Sequence, residues 1–165
     1  MKKISLTLLL CLFLQAGCIG KPSTKPAIPP DEFSQVEMIL DMFFDALHEG
    51  DYRAAADLYG GSYELLTEMN PDLDPGAHLA LLEQACKTNG FQCLRVGEVL
   101  SVDETSQGTY DLTVTFLTSA GETFQRGPCC GAGAGDEPPH TDFTFRVARE
   151  GTGKYKVLDL PVYMP

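Results

Sequence analysis

Six cysteines, at positions 11, 18, 86, 93, 129 and 130, are the residues of this 165-residue chain with the most distinctive chemistry. Thiolates serve as metal ligands, as redox couples or as the two ends of disulfide bonds. Structural zinc and redox dithiols both favour Cys-x-x-Cys, a spacing that none of these pairs has. We therefore predict no metal site and no cofactor, and we predict structural disulfides among Cys86, Cys93, Cys129 and Cys130.

Four cysteines allow three pairings. Cys86 falls at the end of a predicted helix and Cys93 at the start of a predicted strand, whereas Cys129 and Cys130 lie in a glycine-rich run, GPCCGAG. A structureless loop of about 20 residues usually has something that holds it in place. We favour two bridges from the adjacent pair to Cys86 and Cys93. The alternative is a local Cys86–Cys93 bond with a vicinal Cys129–Cys130 bond.

The N-terminal segment MKKISLTLLLCLFLQAGC is typical of an export signal. Its apolar run, residues 4–14, is too short to span a membrane. The ending QAGC resembles the lipobox of bacterial lipoproteins, although Gln15 stands where leucine is usual. The resemblance implies that residues 1–17 are a removable signal peptide, and that Cys18 is lipidated and becomes the new N-terminus.

The charge of the chain restricts its partners. It has 12 Lys+Arg and 23 Asp+Glu, and without residues 1–17 it keeps 10 basic and 23 acidic side chains, a net charge of −13. This composition excludes nucleic acid as a partner and argues against electrostatic adhesion to anionic membrane lipids. The acyl chains on Cys18 would therefore have to anchor the protein. We expect a lipid-anchored protein on the extracytoplasmic face of the cell envelope. In a diderm host, Ile19 after the lipidated cysteine resembles the outer-membrane sorting class.

The remaining chain divides into a tether and one domain. Residues 18–32 contain four prolines and little apolar content, so we predict a solvated tether there and a single domain over residues 33–165. Apolar residues have helical spacing from Phe33 to Leu47, and shorter helical stretches follow. Strict alternation in TYDLTVTFLT and HTDFTFRVARE then predicts antiparallel strands. Helices followed by hairpin-linked strands indicate an α+β fold.

Two segments carry a resemblance to a known fold. FFDALHEGDYRAAADLY resembles the long helix, turn and second helix of the nuclear transport factor 2-like (cystatin-like) fold, and FTFRVAREGTGKYKVLDLPVY resembles its closing hairpin. The resemblance spans residues 33–163 and implies N-terminal helices packed on a curved antiparallel sheet, which together form a cone. Members include ketosteroid isomerases, dehydratases and polyketide cyclases, but also non-catalytic binding modules. Dimers through the open face of the sheet are common in this fold, so a homodimer is an expected partner state.

An enzyme of this fold needs an acid or base that points into the cone. The inward strand positions are almost all apolar, and the three histidines show no ligand spacing, so we predict no catalytic residues. We predict an interior pocket at Tyr59, Tyr63, Tyr110, Phe116 and Phe143. The favoured function is a non-catalytic module that binds a small apolar ligand or an envelope protein. The alternatives are an enzyme resembling the isomerases, dehydratases or cyclases, and an accessory subunit of an envelope complex.

Overall fold

The structure is a computed structural model that describes residues 31–127 and 139–164. Within these residues four helices precede the longest strands, which confirms the predicted α+β class. No helix in this part of the chain is both long and apolar enough to cross a membrane. The helices are α1 (Glu32–Glu49), α2 (Tyr52–Leu58), α3 (Glu64–Met69) and α4 (His78–Lys87). The strands are β1 (Phe91–Gln92), β2 (Arg95–Ser106), β3 (Thr109–Leu117), β4 (Phe143–Arg149), β5 (Tyr155–Val157) and β6 (Val162–Tyr163).

Local chemistry sets both ends of α1. The Asp31 carboxylate accepts a hydrogen bond from the Ser34 backbone N–H at 2.7 Å, which caps the helix and lowers the pKa of Asp31. At the other end, Gly50 has a φ of 78°, a left-handed conformation that ends the helix. The helix therefore begins at Glu32, inside the segment that we predicted as tether.

The main sheet is antiparallel, with the strand order β2-β3-β4-β5, and β1 pairs separately with β6. Alternate residues of β3 are buried, as its sequence predicted. The β2–β3 pairing has three register shifts, one of them between Val96 and Val99. Such irregularities bend a strand, so the sheet curves around the helices. This is the helix-on-curved-sheet arrangement that the resemblance implied.

One hydrophobic core joins the helical layer to the sheet. On α1, Phe44 is fully buried, and its ring centroid lies 4.7 Å from that of Phe116 and 4.9 Å from that of Phe145. Both contacts are edge-on, a favourable geometry for aromatic pairs. The helix α1 is therefore fixed on the sheet by its aromatic side chains.

The structure corrects the favoured disulfide pairing. Cys86, in the last turn of α4, is bonded to Cys93, and their Cα atoms lie 5.5 Å apart. The chain can reverse within this short stretch because Gly90 has a φ of 86°. A Cβ on Gly90 would also lie 2.4 Å from the Met164 carbonyl oxygen, so only glycine fits. The predicted bridges from both residues to the adjacent pair are therefore wrong, and the local bond is the observed one.

Backbone contacts hold the loop that we expected the disulfides to hold. Leu117, the last residue of β3, pairs with Thr123, and Arg126 pairs with His140 across the loop, both in isolated antiparallel bridges. Cys129 and Cys130 lie outside the described residues, as does Cys18, so the vicinal bond and the lipidation stay predictions.

Candidate binding grooves

The aromatic residues that we predicted to line an interior pocket belong to the packed interior. Tyr59, Tyr110, Phe116 and Phe143 are buried, and Tyr63 is half-buried against the same core. None of the five lines either of the two cavities described below. At these positions the structure has packed rings where we predicted a pocket, because the rings fill the space between helices and sheet.

The two helix-side tyrosines are poor candidates for general bases. The Tyr59 hydroxyl donates a hydrogen bond to the Ser62 carbonyl at 2.9 Å. The Tyr63 hydroxyl is buried without a hydrogen-bond partner among the described residues. Burial raises the pKa of Tyr63 to about 12 and also raises that of Tyr59. Because both phenols stay protonated at neutral pH, neither can abstract a proton there, although the Tyr63 hydroxyl can donate a hydrogen bond.

His48 and His78 contact different partners. His48 Nδ1 lies 3.1 Å from the Cys93 carbonyl oxygen, which accepts a hydrogen bond from the protonated nitrogen. The His78 ring stacks on Tyr63 with centroids 3.9 Å apart and planes only 4° from parallel. In residues 31–127 and 139–164, no group of three or more His, Cys, Asp and Glu side chains is placed to hold a metal ion.

A polar cavity of about 800 Å³, the disulfide groove, lies where the C-terminal ends of α1 and α4 meet β1. The Cys86–Cys93 bond is part of its wall. Its charged side chains have partners within the chain: Lys87 Nζ lies 2.6 Å from Glu83, and Arg95 lies 2.5 Å from Glu49. Lys87, Glu83 and Glu49 are therefore already paired within the chain, and a charged ligand would have to displace these ion pairs to bind them.

A second cavity, the apolar groove, has a volume of about 420 Å³ and lies where α1 and α2 meet β5 at the edge of the sheet. It is bounded by α1, α2 and the turn from β4 to β5, so its walls come from three separate stretches of chain. Met38 is 50% exposed, so an apolar side chain of α1 reaches the solvent at this groove. Its lining includes Met38, Ile39, Asp57, Leu58, Lys154, Tyr155 and Lys156.

Direct contacts fix the walls of the apolar groove against one another. Glu32, the first residue of α1, accepts a hydrogen bond from the Tyr155 hydroxyl and pairs with Arg149. Arg149 in turn donates to the Tyr155 hydroxyl at 2.6 Å. The Lys156 ammonium donates to the Asp57 carbonyl, which joins β5 to α2. The groove is therefore held in shape by the fold.

Sequence reasoning missed this groove. The helical spacing of apolar residues from Phe33 to Leu47 predicts one core-facing side of α1 and assigns neither Met38 nor Ile39 to a second surface. An apolar arc on a helix that is wider than the core requires indicates a second contact surface. The wide arc of α1 is therefore the signal from which this groove could have been predicted. The lysines of the segment KYKV alternate with buried residues, but the pattern does not reveal which helix lies beside them.

Comparisons with known proteins add little to this geometry. No protein-family model and no curated protein matches the chain. Among solved structures, one similar chain is an NTF2-like family protein of Streptomyces avermitilis for which a dehydratase activity has been suggested. It is 19% identical, the match covers 78% of this chain and 95% of that chain, and the TM-score is 0.41. A TM-score this low does not support a fold assignment. The fold is therefore assigned from the helices and strands of this chain alone.

Proposed function

We propose that this chain is a non-catalytic binding protein of the bacterial cell envelope, tethered through a lipid on Cys18, and that it holds a small apolar ligand in the apolar groove. The observation that carries the binding function is an open, largely apolar cavity of about 420 Å³ beside a packed interior. This volume lies within the range of small-molecule sites, roughly 300–1,000 Å³.

Two features support binding at this surface. The hairpin and both helices that form the groove are joined by hydrogen bonds and an ion pair, so the walls are largely preformed. A preformed site loses less conformational entropy on binding than a mobile one. The exposed Met38 side chain is flexible and polarisable, properties that suit adaptable apolar contacts.

The enzyme alternative has one observation in its favour, the buried hydroxyl of Tyr63 that has no partner among the described residues. Isomerisation and dehydration both require a proton to be abstracted, and a hydrogen-bond donor with a raised pKa does not supply that step. We therefore place the binding function first.

The matched variants Met38→Asp and Met42→Asp test the location of the site. Both methionines lie on α1 and are 50% exposed, but only Met38 lines the apolar groove. We expect Met38→Asp to weaken binding of the uncharged fluorescent dye N-phenyl-1-naphthylamine about tenfold, because a carboxylate is costly to bury beside an apolar ligand. Met42→Asp should change the affinity less than twofold. Equal effects of the two variants, or no dye binding by the parent chain, would contradict this site.

The anchoring part of the proposal depends on Cys18. In a bacterial host, the parent chain should incorporate labelled fatty acid and partition into the detergent phase of a Triton X-114 extract. Cys18→Ser should abolish the label and keep the chain longer by the unremoved signal, while Cys11→Ser, within that signal, should change neither property. Labelling that persists in Cys18→Ser would rule out lipidation at this residue.

A further inference from the structure

We propose that the ligand of the apolar groove is a single-chain amphiphile with an anionic head, and that Lys154 and Lys156 bind the head. This inference rests on the proposed binding function and adds the chemical class of the ligand. Its starting point is that the groove combines apolar side chains with two lysines.

The distribution of lysines is uneven. Residues 31–127 and 139–164 contain three, Lys87, Lys154 and Lys156, and two of them line the apolar groove. Lys87 is paired with Glu83 in the disulfide groove, whereas Lys154 forms no ion pair with the described residues. In a chain with a net charge of −11, two cations beside an apolar surface form a local exception to the overall charge.

The aliphatic residues and the lysines of the groove come from different elements, and Gln35 and Asp57 of the helices also line it. Met38 and Ile39 come from α1 and Leu58 comes from α2, so the helices supply the apolar walls. The lysines come from β5 and the turn before it, on the remaining side. A hydrocarbon chain against the helices would therefore place its head beside the hairpin. A lysine ammonium is a compact point charge that binds carboxylate, sulfate or phosphate oxygens.

Asp57 of α2 also lines the groove, so the two lysines share it with one acidic residue. Its carbonyl accepts the hydrogen bond from Lys156, so that lysine is held close to the wall formed by α2. Lys154 is exposed and follows Gly153 in the turn, so it can reach a head group at the mouth of the groove. We therefore assign the larger share of head-group discrimination to Lys154.

The test compares three soluble amphiphiles with ten-carbon chains: decanoate, decyltrimethylammonium and decyl glucoside. Titration calorimetry, below the micellar concentration of each, would use residues 19–165, which retain every described element. We expect decanoate to bind about tenfold more tightly than the other two. Lys154→Gln should weaken decanoate binding about threefold, as expected for one partly exposed charge pair, and leave decyl glucoside unchanged. Lys87→Gln, the matched control in the disulfide groove, should change neither affinity.

The outcomes separate the two proposals. If none of the three amphiphiles binds while the parent chain still binds N-phenyl-1-naphthylamine, only this inference fails; if the dye does not bind either, the proposed binding function fails as well. If all three bind equally well to the parent chain, the groove binds apolar chains but the head-group inference is overturned. Loss of decanoate binding in Lys87→Gln rather than Lys154→Gln would also overturn it.

Capture by vesicles containing phosphatidylglycerol, without decanoate binding, would replace the free amphiphile with a membrane surface as the partner. Decanoate binding only after removal of residues 19–30 would identify that segment as the occupant.

Discussion

Replacing Phe116 with alanine is expected to lower the free energy of unfolding by about 3–5 kcal/mol, the usual cost of truncating a buried phenylalanine. The Phe116 side chain is 1% exposed, and its ring contacts those of Phe44, Phe143 and Phe145 at centroid distances of 4.7, 5.8 and 5.6 Å. Truncation would leave a cavity between α1 and the sheet. Urea denaturation followed by circular dichroism measures the loss.

The same substitution at Phe33 is the matched control. Phe33 is 47% exposed at the start of α1, so Phe33→Ala should cost less than about 1 kcal/mol. A smaller loss for Phe116→Ala than for Phe33→Ala would show that the interior tolerates a missing ring. That result would support the interior pocket that we predicted from the sequence.

Removing the Cys86–Cys93 bond is expected to lower the free energy of unfolding by about 2.5 kcal/mol, the chain-entropy value for so short a loop. Replacement of both cysteines with alanine, or reduction of the parent chain, should give similar losses. Thermal unfolding with and without reductant measures them. Since the bond is also part of the disulfide groove, its removal should leave dye binding in the apolar groove unchanged.

The double cysteine variant supplies an internal control, since its melting temperature should respond to reductant only through Cys129 and Cys130. Peptide mapping without reduction identifies the partners directly. A cross-linked peptide that joins Cys86 to either member of the adjacent pair would contradict the structure and support the cross-pairing.

The fold could be predicted from the sequence where the signals are local. The apolar period of α1 and the alternation of β3 both depend on neighbours within a few residues, whereas the cap at Asp31 lies in the segment that we predicted as tether. The two-residue strands β1 and β6 could not be predicted, because they exist only through the pairing of Phe91 with Tyr163. Contacts between distant segments leave little trace in either segment alone.

The candidate site could be predicted only in part, for a related reason. Alternation showed that Tyr110, Phe116 and Phe143 face inward, which is correct. Whether inward residues line a cavity or fill it depends on the distance between the helices and the sheet. The alternation of apolar residues in the sequence gives no information on that distance. The apolar groove needs α1, α2 and β5 to meet, so neither Leu58 nor Lys154 could be assigned to it from its own neighbours.

The contact of Glu32 with Arg149 and Tyr155 has a mechanical consequence. The chain enters the described domain at Asp31, one residue before this contact. A pulling force on the preceding segment would therefore reach the ion pair and the tyrosine hydroxyl before it reached the buried core. If Cys18 anchors the chain as proposed, tension on that anchor would act first on the contact between α1 and the hairpin, which borders the apolar groove.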